Sequence, residues 1–304
     1  MLRKLLRTLL LTCLIMPGST IAWASPATFV TALPVALDQI LARVDADTAL
    51  TASNLVYAQF PVSVALGATS SLALFATFKQ GFTSLTQDGE TSTSGGSSDT
   101  LLFARYTLFK RDRPKTTLRI APLVGAYLPT GSNTLSNSNG LLAAPLQTGT
   151  GTLDPYVGIT LGSNGTRYGA AWDATYRWNP STVHGISPGD VIRTDGEVEM
   201  RLLPVHLPQE GIPKELWFVL ETNLIKNRSG KIDGAMDPNS GGFTWNGAAT
   251  LQLPTLHWEL GMGVLLPIVQ QFNGVGGIPE GKGFISFFEY YLSAPSWKGF
   301  RRKL

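Results

Sequence analysis

Between Arg193 and Arg201 every second residue carries a charge: Arg193, Asp195, Glu197, Glu199 and Arg201. Ile192, Val198, Met200 and Leu202 fall on the alternate positions. A period of two puts the charges on one face of a strand and the apolar residues on the other. A charged face of this kind can act in two ways. Rings of charge can line a pore and set its selectivity, or a salt-bridge network can fill a narrow barrel and hold it rigid.

The same alternation runs elsewhere. In Thr166–Trp178, Tyr168, Ala170, Trp172, Ala174, Tyr176 and Trp178 share a face, opposite Arg167, Asp173 and Arg177. In Leu256–Leu266, Leu256, Trp258, Leu260, Met262, Val264 and Leu266 oppose His257, Glu259 and two glycines. If the apolar faces meet lipid, the residues expected to line an interior are Lys79, Arg105, Arg119, Arg167, Asp173, Arg177, Arg193, Asp195, Glu197, Glu199, Arg201, Glu221, His257, Glu259 and Glu289. The two signs are nearly balanced.

Catalytic and metal chemistry find little support. His184, His206 and His257 are the three histidines, and none stands in a triad spacing. His257 and Glu259 share a face, but a wall-lining role explains them more simply than catalysis. Asp233-Gly234 and Asp237-Pro238-Asn239 superficially resemble calcium loops but lack the full ligand run and its terminal Glu. No glycine-rich loop ends in Lys followed by Ser or Thr. We expect no catalytic residue, no metal, no cofactor and no enzymatic activity.

The N-terminus reads MLRKLLRTLLLTCLIMPGSTIAWAS. Arg3, Lys4 and Arg7, a short apolar run from Leu9 to Met16, and Ala22-Trp23-Ala24 are the three parts of a secretion signal, with cleavage expected after Ala24. The apolar run is too short to anchor the chain across a bilayer. The chain has 24 Lys+Arg and 21 Asp+Glu; losing residues 1–24 removes three basic residues and no acid, leaving 21 of each. The apparent basicity therefore belongs to the signal and argues against a nucleic-acid partner. The single cysteine, Cys13, also lies in the signal, so the mature chain has no disulfide and no cysteine metal site.

After the signal there is no run of ~20 apolar residues, so a membrane crossing would have to use strands closed into a barrel. Alternation places strands at 54–66, 70–80, 101–111, 116–128, 153–162, 166–178, 190–203, 216–225, 242–253, 256–267 and 283–292. Trp and Tyr cluster near the ends of their apolar faces, as interfacial girdles do. The connections alternate between tight and long polar loops, the asymmetry of an outer-membrane barrel; Pro204–Glu215 breaks the rule by being long where a tight turn is due. Eleven strands are odd, so residues 25–53 must cross once more. Thr28–Val35 is one candidate strand. The alternative is a lumen-threading helix over Val35–Asp47, where Leu37, Ile40, Leu41 and Val44 fall at helical spacing.

Gly67-Ala68-Thr69-Ser70-Ser71-Leu72-Ala73-Leu74, Ala104-Arg105-Tyr106-Thr107-Leu108, Leu128-Pro129-Thr130-Gly131, Gly149-Thr150-Gly151-Thr152-Leu153-Asp154-Pro155-Tyr156 and Leu265-Leu266-Pro267-Ile268-Val269-Gln270-Gln271-Phe272-Asn273-Gly274 occur in that order. The order resembles the outer-membrane β-barrel transporter family named after the meta-pathway of phenol degradation, over roughly residues 55–293. The resemblance implies a barrel and uptake of small, often aromatic, compounds, and it carries no catalytic residues. One departure is the end of the chain: Tyr290-Tyr291-Leu292 is followed by a basic segment to Leu304 instead of a closing aromatic residue.

These readings combine into an all-β, antiparallel, up-and-down transmembrane barrel of about 12 strands. The expected organisation is a signal at 1–24, an N-terminal strand or plug at 25–53, the barrel at 54–292 and a basic tail at 293–304. The expected role is passive passage of small, hydrophobic or aromatic molecules across the outer membrane of a Gram-negative-type cell, with lipid and a small solute as partners. A hydrolase working at the barrel rim and a structural barrel with a filled lumen are the rival roles. The oligomeric state is left open.

Overall fold

Strands whose alternate residues are apolar and polar must bury one face and expose the other, and here the two faces are inverted relative to a water-soluble protein. In a computed structural model of the chain, the apolar face is the exposed one. Val44, Phe60, Val62, Phe78, Val124, Val157, Trp172, Ile192, Val198, Leu220, Met262 and Phe288 all stand outside. The buried set is mainly polar and includes Asp45, Arg105, Arg119, Asp173, Asp195, Glu197, Glu221, Glu259 and Glu289. Apolar outside and polar inside is the pattern of a barrel that lives in lipid.

The structure describes residues 26–29, 35, 37–50, 55–87, 90–138, 140–142, 146–180, 185–208, 210–273 and 282–293. The expected signal, His184 and almost all of the basic tail lie outside them.

Twelve antiparallel strands make the wall: β1 Gln39–Leu50, β2 Leu55–Gly67, β3 Leu72–Gln87, β4 Thr100–Tyr106, β5 Thr116–Leu128, β6 Asp154–Gly165, β7 Tyr168–Arg177, β8 Val191–Leu203, β9 Leu216–Asn227, β10 Gly242–Pro254, β11 Trp258–Phe272 and β12 Lys282–Ser293. Each pairs with its sequence neighbours, β5 with both β4 and β6. β1 pairs with β12 from Gln39 opposite Ser293 to Leu50 opposite Lys282. That last ladder closes the barrel and leaves no edge strand in the wall.

The twelfth crossing is therefore β1. The helix considered over Val35–Asp47 is not formed. Most of Thr28–Val35, the other candidate, lies outside the described residues. The barrel begins at Gln39 instead of at residue 54. Ile40, Leu41 and Val44 fit a helix as well as a strand, but Arg43, Asp45 and Asp47 repeat every second residue, and a helix would scatter them around its axis. In β1 all three turn inward while Val44 faces out.

Two departures from the expected strands have local causes. The stretch 101–111 divides at Thr107-Leu108. From Arg105 opposite Leu123 to Phe109 opposite Ile120, four steps on one strand meet three on the other. The extra residue is a bulge, and beyond it Phe109–Arg113 pairs only with β5, as a short exposed hairpin arm. The long connection after residue 81 is also strand: β3 runs on to Gln87 and pairs with Glu90–Ser97, a hairpin standing above the wall.

Aromatic side chains mark both ends of the outer face. Tyr106, Tyr168 and Trp258 lie at the short-turn end, and Phe82, Trp178, Trp245 and Phe284 at the long-loop end, all exposed. Rings with one apolar and one polar side settle at membrane–water interfaces.

Candidate functional site: the barrel lumen

The lumen encloses a cavity of about 1080 Å³. Its lining extends from Asp47, Tyr57, Arg177 and Val191 near the long loops to Arg119, Thr255, Leu256 and Tyr291 near the short turns. Two kinds of side chain dominate it.

The first is charge. On one wall, Arg43 donates from Nε to Asp45 Oδ1 at 2.8 Å, lies 3.8 Å from Glu289, and stacks 4.0 Å above the Phe287 ring. On the opposite wall, Arg193 pairs with Asp195 at 2.6 Å, and Asn223 Nδ2 donates to Asp195 at 2.6 Å. Arg177 pairs with the fully buried Asp154. Lys79, Arg105, Arg119, Asp173 and Asp47 complete this set. At the short-turn end, Asp112 on the exposed hairpin arm holds Arg119 at 2.6 Å. Hydrogen bonds from Thr117, Arg119 and Lys110 keep the Asp112 carboxyl down at about 2.

The second is an aromatic strip across β3, β4, β5 and β6. Phe75 and Phe103 stack with centroids 4.5 Å apart. Phe103 meets Tyr156 edge-on at 6.1 Å, and Tyr156 meets Tyr127 edge-on at 5.7 Å. A cation caps each end: Arg105 lies 4.8 Å from the Phe75 centroid and Arg177 4.2 Å from that of Tyr127. Rings so arranged present faces and edges for a further ring, with cations at hand for its anionic group.

The short-turn end is more tightly filled. Glu199 accepts from Asn164 Nδ2 at 2.8 Å, and Trp217 Nε1 donates to Glu215 at 2.7 Å. Arg201 stands 3.7 Å from the same Glu215. Glu215 is the last residue of the Pro204–Glu215 connection, so that irregular segment feeds a carboxylate back to Trp217 and Arg201. Glycines make room for this packing. A Cβ on Gly169 would stand 2.0 Å from Glu199 Oε1, and one on Gly261 would stand 2.1 Å from the Phe287 ring.

Residues 26–29 of the chain's own N-terminal segment lie within the lumen. Ala27 and Thr28 donate their backbone N–H groups to Glu221 at 2.8 and 3.0 Å. Arg43 donates to the carbonyls of Pro26 and Ala27 at 2.7 and 3.0 Å, and Arg193 to that of Thr28 at 2.7 Å. Val35 packs inside against Ala65 and Ala73. Pro26–Thr28 are thus hydrogen-bonded to three strands, β1, β8 and β9, on both sides of the lumen.

Of the fifteen interior positions expected, Lys79, Arg105, Arg119, Asp173, Arg177, Arg193, Asp195 and Glu289 line the cavity. Glu197, Glu199, Arg201, Glu221 and Glu259 are buried inside the wall. The remaining two stand in turns. His257 is exposed in the tight β10–β11 turn, where its carbonyl accepts from Tyr291 N; the turn ends the alternation that would have carried it inward. Arg167 sits half-buried in the two-residue β6–β7 turn, with its guanidinium 5.6 Å from the ring of Tyr168. His206 is exposed in the Pro204–Glu215 connection. Among the described residues, no three His, Cys, Asp or Glu side chains are placed to hold a metal.

Sequence reasoning missed Arg43, Asp45 and Asp47, because it considered Val35–Asp47 only as a helix and placed its candidate strand earlier, at Thr28–Val35. It also missed the aromatic strip, whose four members look like ordinary apolar strand residues. The LPTG and GTGTLD stretches have a mechanical role outside the lumen. Asp99 accepts from Gly131 N at 3.0 Å and from Thr150 N and Oγ1 at 2.8 and 2.9 Å, so one buried carboxylate clasps both ends of the Pro129–Leu153 loop. A Cβ on Gly149 would come within 2.6 Å of that carboxylate.

A closed, antiparallel, twelve-strand barrel with an apolar exterior, aromatic girdles and a polar lumen is the architecture of an outer-membrane β-barrel protein. Comparison with solved structures agrees. An outer membrane channel from Pseudomonas putida F1, described as COG4313, superposes with a TM-score of 0.63 at 14% identity, covering 89% of this chain and 100% of that one. The NanC porin gives 0.47 at 13% identity, with 83% and 100% covered. The chain shares the fold of the first. No protein-family model and no curated protein matches the sequence.

Proposed function

We propose that the protein is a passive outer-membrane channel for small solutes carrying an aromatic ring, plugged at rest by its own N-terminal segment. The observation that carries this reading is the aromatic strip Phe75–Phe103–Tyr156–Tyr127, lining one side of a charged cavity and capped by Arg105 and Arg177. A ring stacking there loses water from its faces, and an attached anion meets a guanidinium. The resemblance to the phenol meta-pathway family supports the same class of solute, and a solved barrel of the same fold is described as an outer membrane channel. In this reading the concentration gradient drives passage.

The N-terminal segment sets the resting state. Its ties to Glu221, Arg43 and Arg193 are mostly hydrogen bonds to charged groups, each contributing about 1.5–3 kcal/mol, so opening requires several to be exchanged for solute or water. The reading is of a transporter, in keeping with the channel described for the solved barrel of the same fold. Flux of benzoate-sized and alkyl carboxylates into liposomes holding the refolded mature chain tests it. Faster entry of the aromatic member supports the assignment, and equal or absent flux of both contradicts it.

A further inference from the structure

At the short-turn end, the hairpin arm Phe109–Arg113 has two faces, set by its register with β5. Lys110 opposes Arg119 and Asp112 opposes Thr117, and this face turns toward the lumen, where Asp112, Thr117 and Arg119 line the cavity. Phe109 opposes Ile120, Arg111 opposes Leu118 and Arg113 opposes Thr116. Those residues make the outward face, which continues along β5 to the exposed Val124. From the barrel wall to the tip of the arm, its outward side therefore reads apolar, cation, cation.

The arm's carboxylate does not neutralise that side. Asp112 sits on the opposite face, held by Arg119 at 2.6 Å and Lys110 at 3.2 Å. Arg111 and Arg113 are exposed and, among the described residues, in no ion pair. The neighbouring β6–β7 turn extends the patch. Thr116 pairs with Gly165, and Arg167 follows two residues on, beside Tyr168 of the aromatic girdle. Cations just beyond lipid-facing residues and level with a girdle tyrosine stand where the phosphates of a bilayer lie. An arginine stem can rest on Leu118 or Ile120 while its guanidinium grips a phosphate with two parallel hydrogen bonds. The edge of the arm away from β5 could in principle receive a strand from a protein, but Lys and Arg on an edge oppose such pairing. We propose that Arg111 and Arg113, with Arg167 beside them, form a binding site for the headgroup phosphate of an acidic phospholipid in the leaflet at the short-turn end.

The experiment compares the association of spin-labelled phosphatidylglycerol and phosphatidylcholine with the refolded chain in phosphatidylcholine bilayers. The acidic lipid should be held more tightly, and high salt should shrink the difference. Arg111→Gln combined with Arg113→Gln, with folding confirmed by heat-modifiable gel mobility, should lower the preference by roughly fivefold for each cation removed. Arg111→Lys combined with Arg113→Lys should keep most of it. Lys231→Gln, which removes an exposed charge at the long-loop end, should leave it unchanged. Equal association of the two lipids overturns the proposal and leaves the arm's edge for a protein strand. A preference that the double Gln variant retains overturns it too, because the charge that binds the lipid then lies elsewhere.

Discussion

Arg43 and Glu289 face each other across the β1–β12 ladder that closes the barrel, with Arg43 Nη1 3.8 Å from the Glu289 carboxylate. The same guanidinium pairs with Asp45 and holds the carbonyls of Pro26 and Ala27. One residue therefore joins the seam of the barrel to its plug. Arg43→Met removes the charge while keeping much of the volume and leaves Asp45 and Glu289 buried without their cation. Loss of one partner of a buried pair costs about 3–5 kcal/mol. Urea unfolding in detergent should show a loss of that size, together with faster protease access to residues 25–35.

The inverted surface makes a prediction of opposite sign to that for a water-soluble barrel. Val198 is 56% exposed near the middle of β8. Val198→Arg should destabilise the folded barrel in bilayers by about 2–4 kcal/mol, the depth-dependent range for a cation on the lipid face. In a water-facing strand the change would be close to neutral. Equilibrium folding into liposomes measures the difference.

Much of this surface was legible in the sequence. Tyr168, Trp172, Tyr176 and Trp178 alternate with Arg167, Asp173 and Arg177 so regularly that strand and sidedness follow from a period of two. The alternation fails where other forces act. In β1, Ile40, Leu41 and Val44 fit two periods at once, and the ladder with β12, formed across most of the chain's length, decides between them. His257 has the right parity but lies exposed in a turn, where parity no longer fixes direction. The aromatic strip depends on which strands are neighbours and how their register spirals. Asp99 needs loop residues 32 and 51 positions away to show what it does.

The Asp99 clasp predicts a local effect. Asp99→Ala leaves the N–H groups of Gly131 and Thr150 without their acceptor, a cost of about 1–3 kcal/mol for buried donors. Strand pairing is untouched. Limited proteolysis should cut within 129–153 at least several times faster, while heat-modifiable gel mobility stays that of the wild type.

Two glycines on inward faces should differ sharply. A Cβ on Gly125 would lie 2.0 Å from the Leu102 carbonyl oxygen and 2.5 Å from Phe103 Cβ, so backbone must move. The nearest atoms to a Cβ on Gly81 are 3.6 Å away, an ordinary contact. Gly125→Ala should lower stability by about 1–3 kcal/mol, as overpacking does, and disturb the Phe75–Phe103 stack beside it. Gly81→Ala should change stability by less than about 1 kcal/mol in either direction. Thermal unfolding of the pair tests both.

Phe103 is the hinge of the aromatic strip, touching Phe75 on one side and Tyr156 on the other. Phe103→Leu keeps the wall apolar but breaks both ring contacts, each worth about 0.5–1.5 kcal/mol beyond area burial. Entry of an aromatic carboxylate into loaded liposomes should lose its advantage over an alkyl carboxylate of equal size, with little change for the alkyl one.

The most direct test of a plugged channel is single-channel recording of the mature chain in planar bilayers beside a variant lacking residues 25–34. That cut spares Val35 and β1, whereas a deletion running through residue 53 would remove a wall strand. Small or rare openings in the mature chain and discrete, larger conductance in the variant are the predicted result. Silence from both, with each confirmed as folded barrel, would contradict the channel and leave a filled structural cylinder.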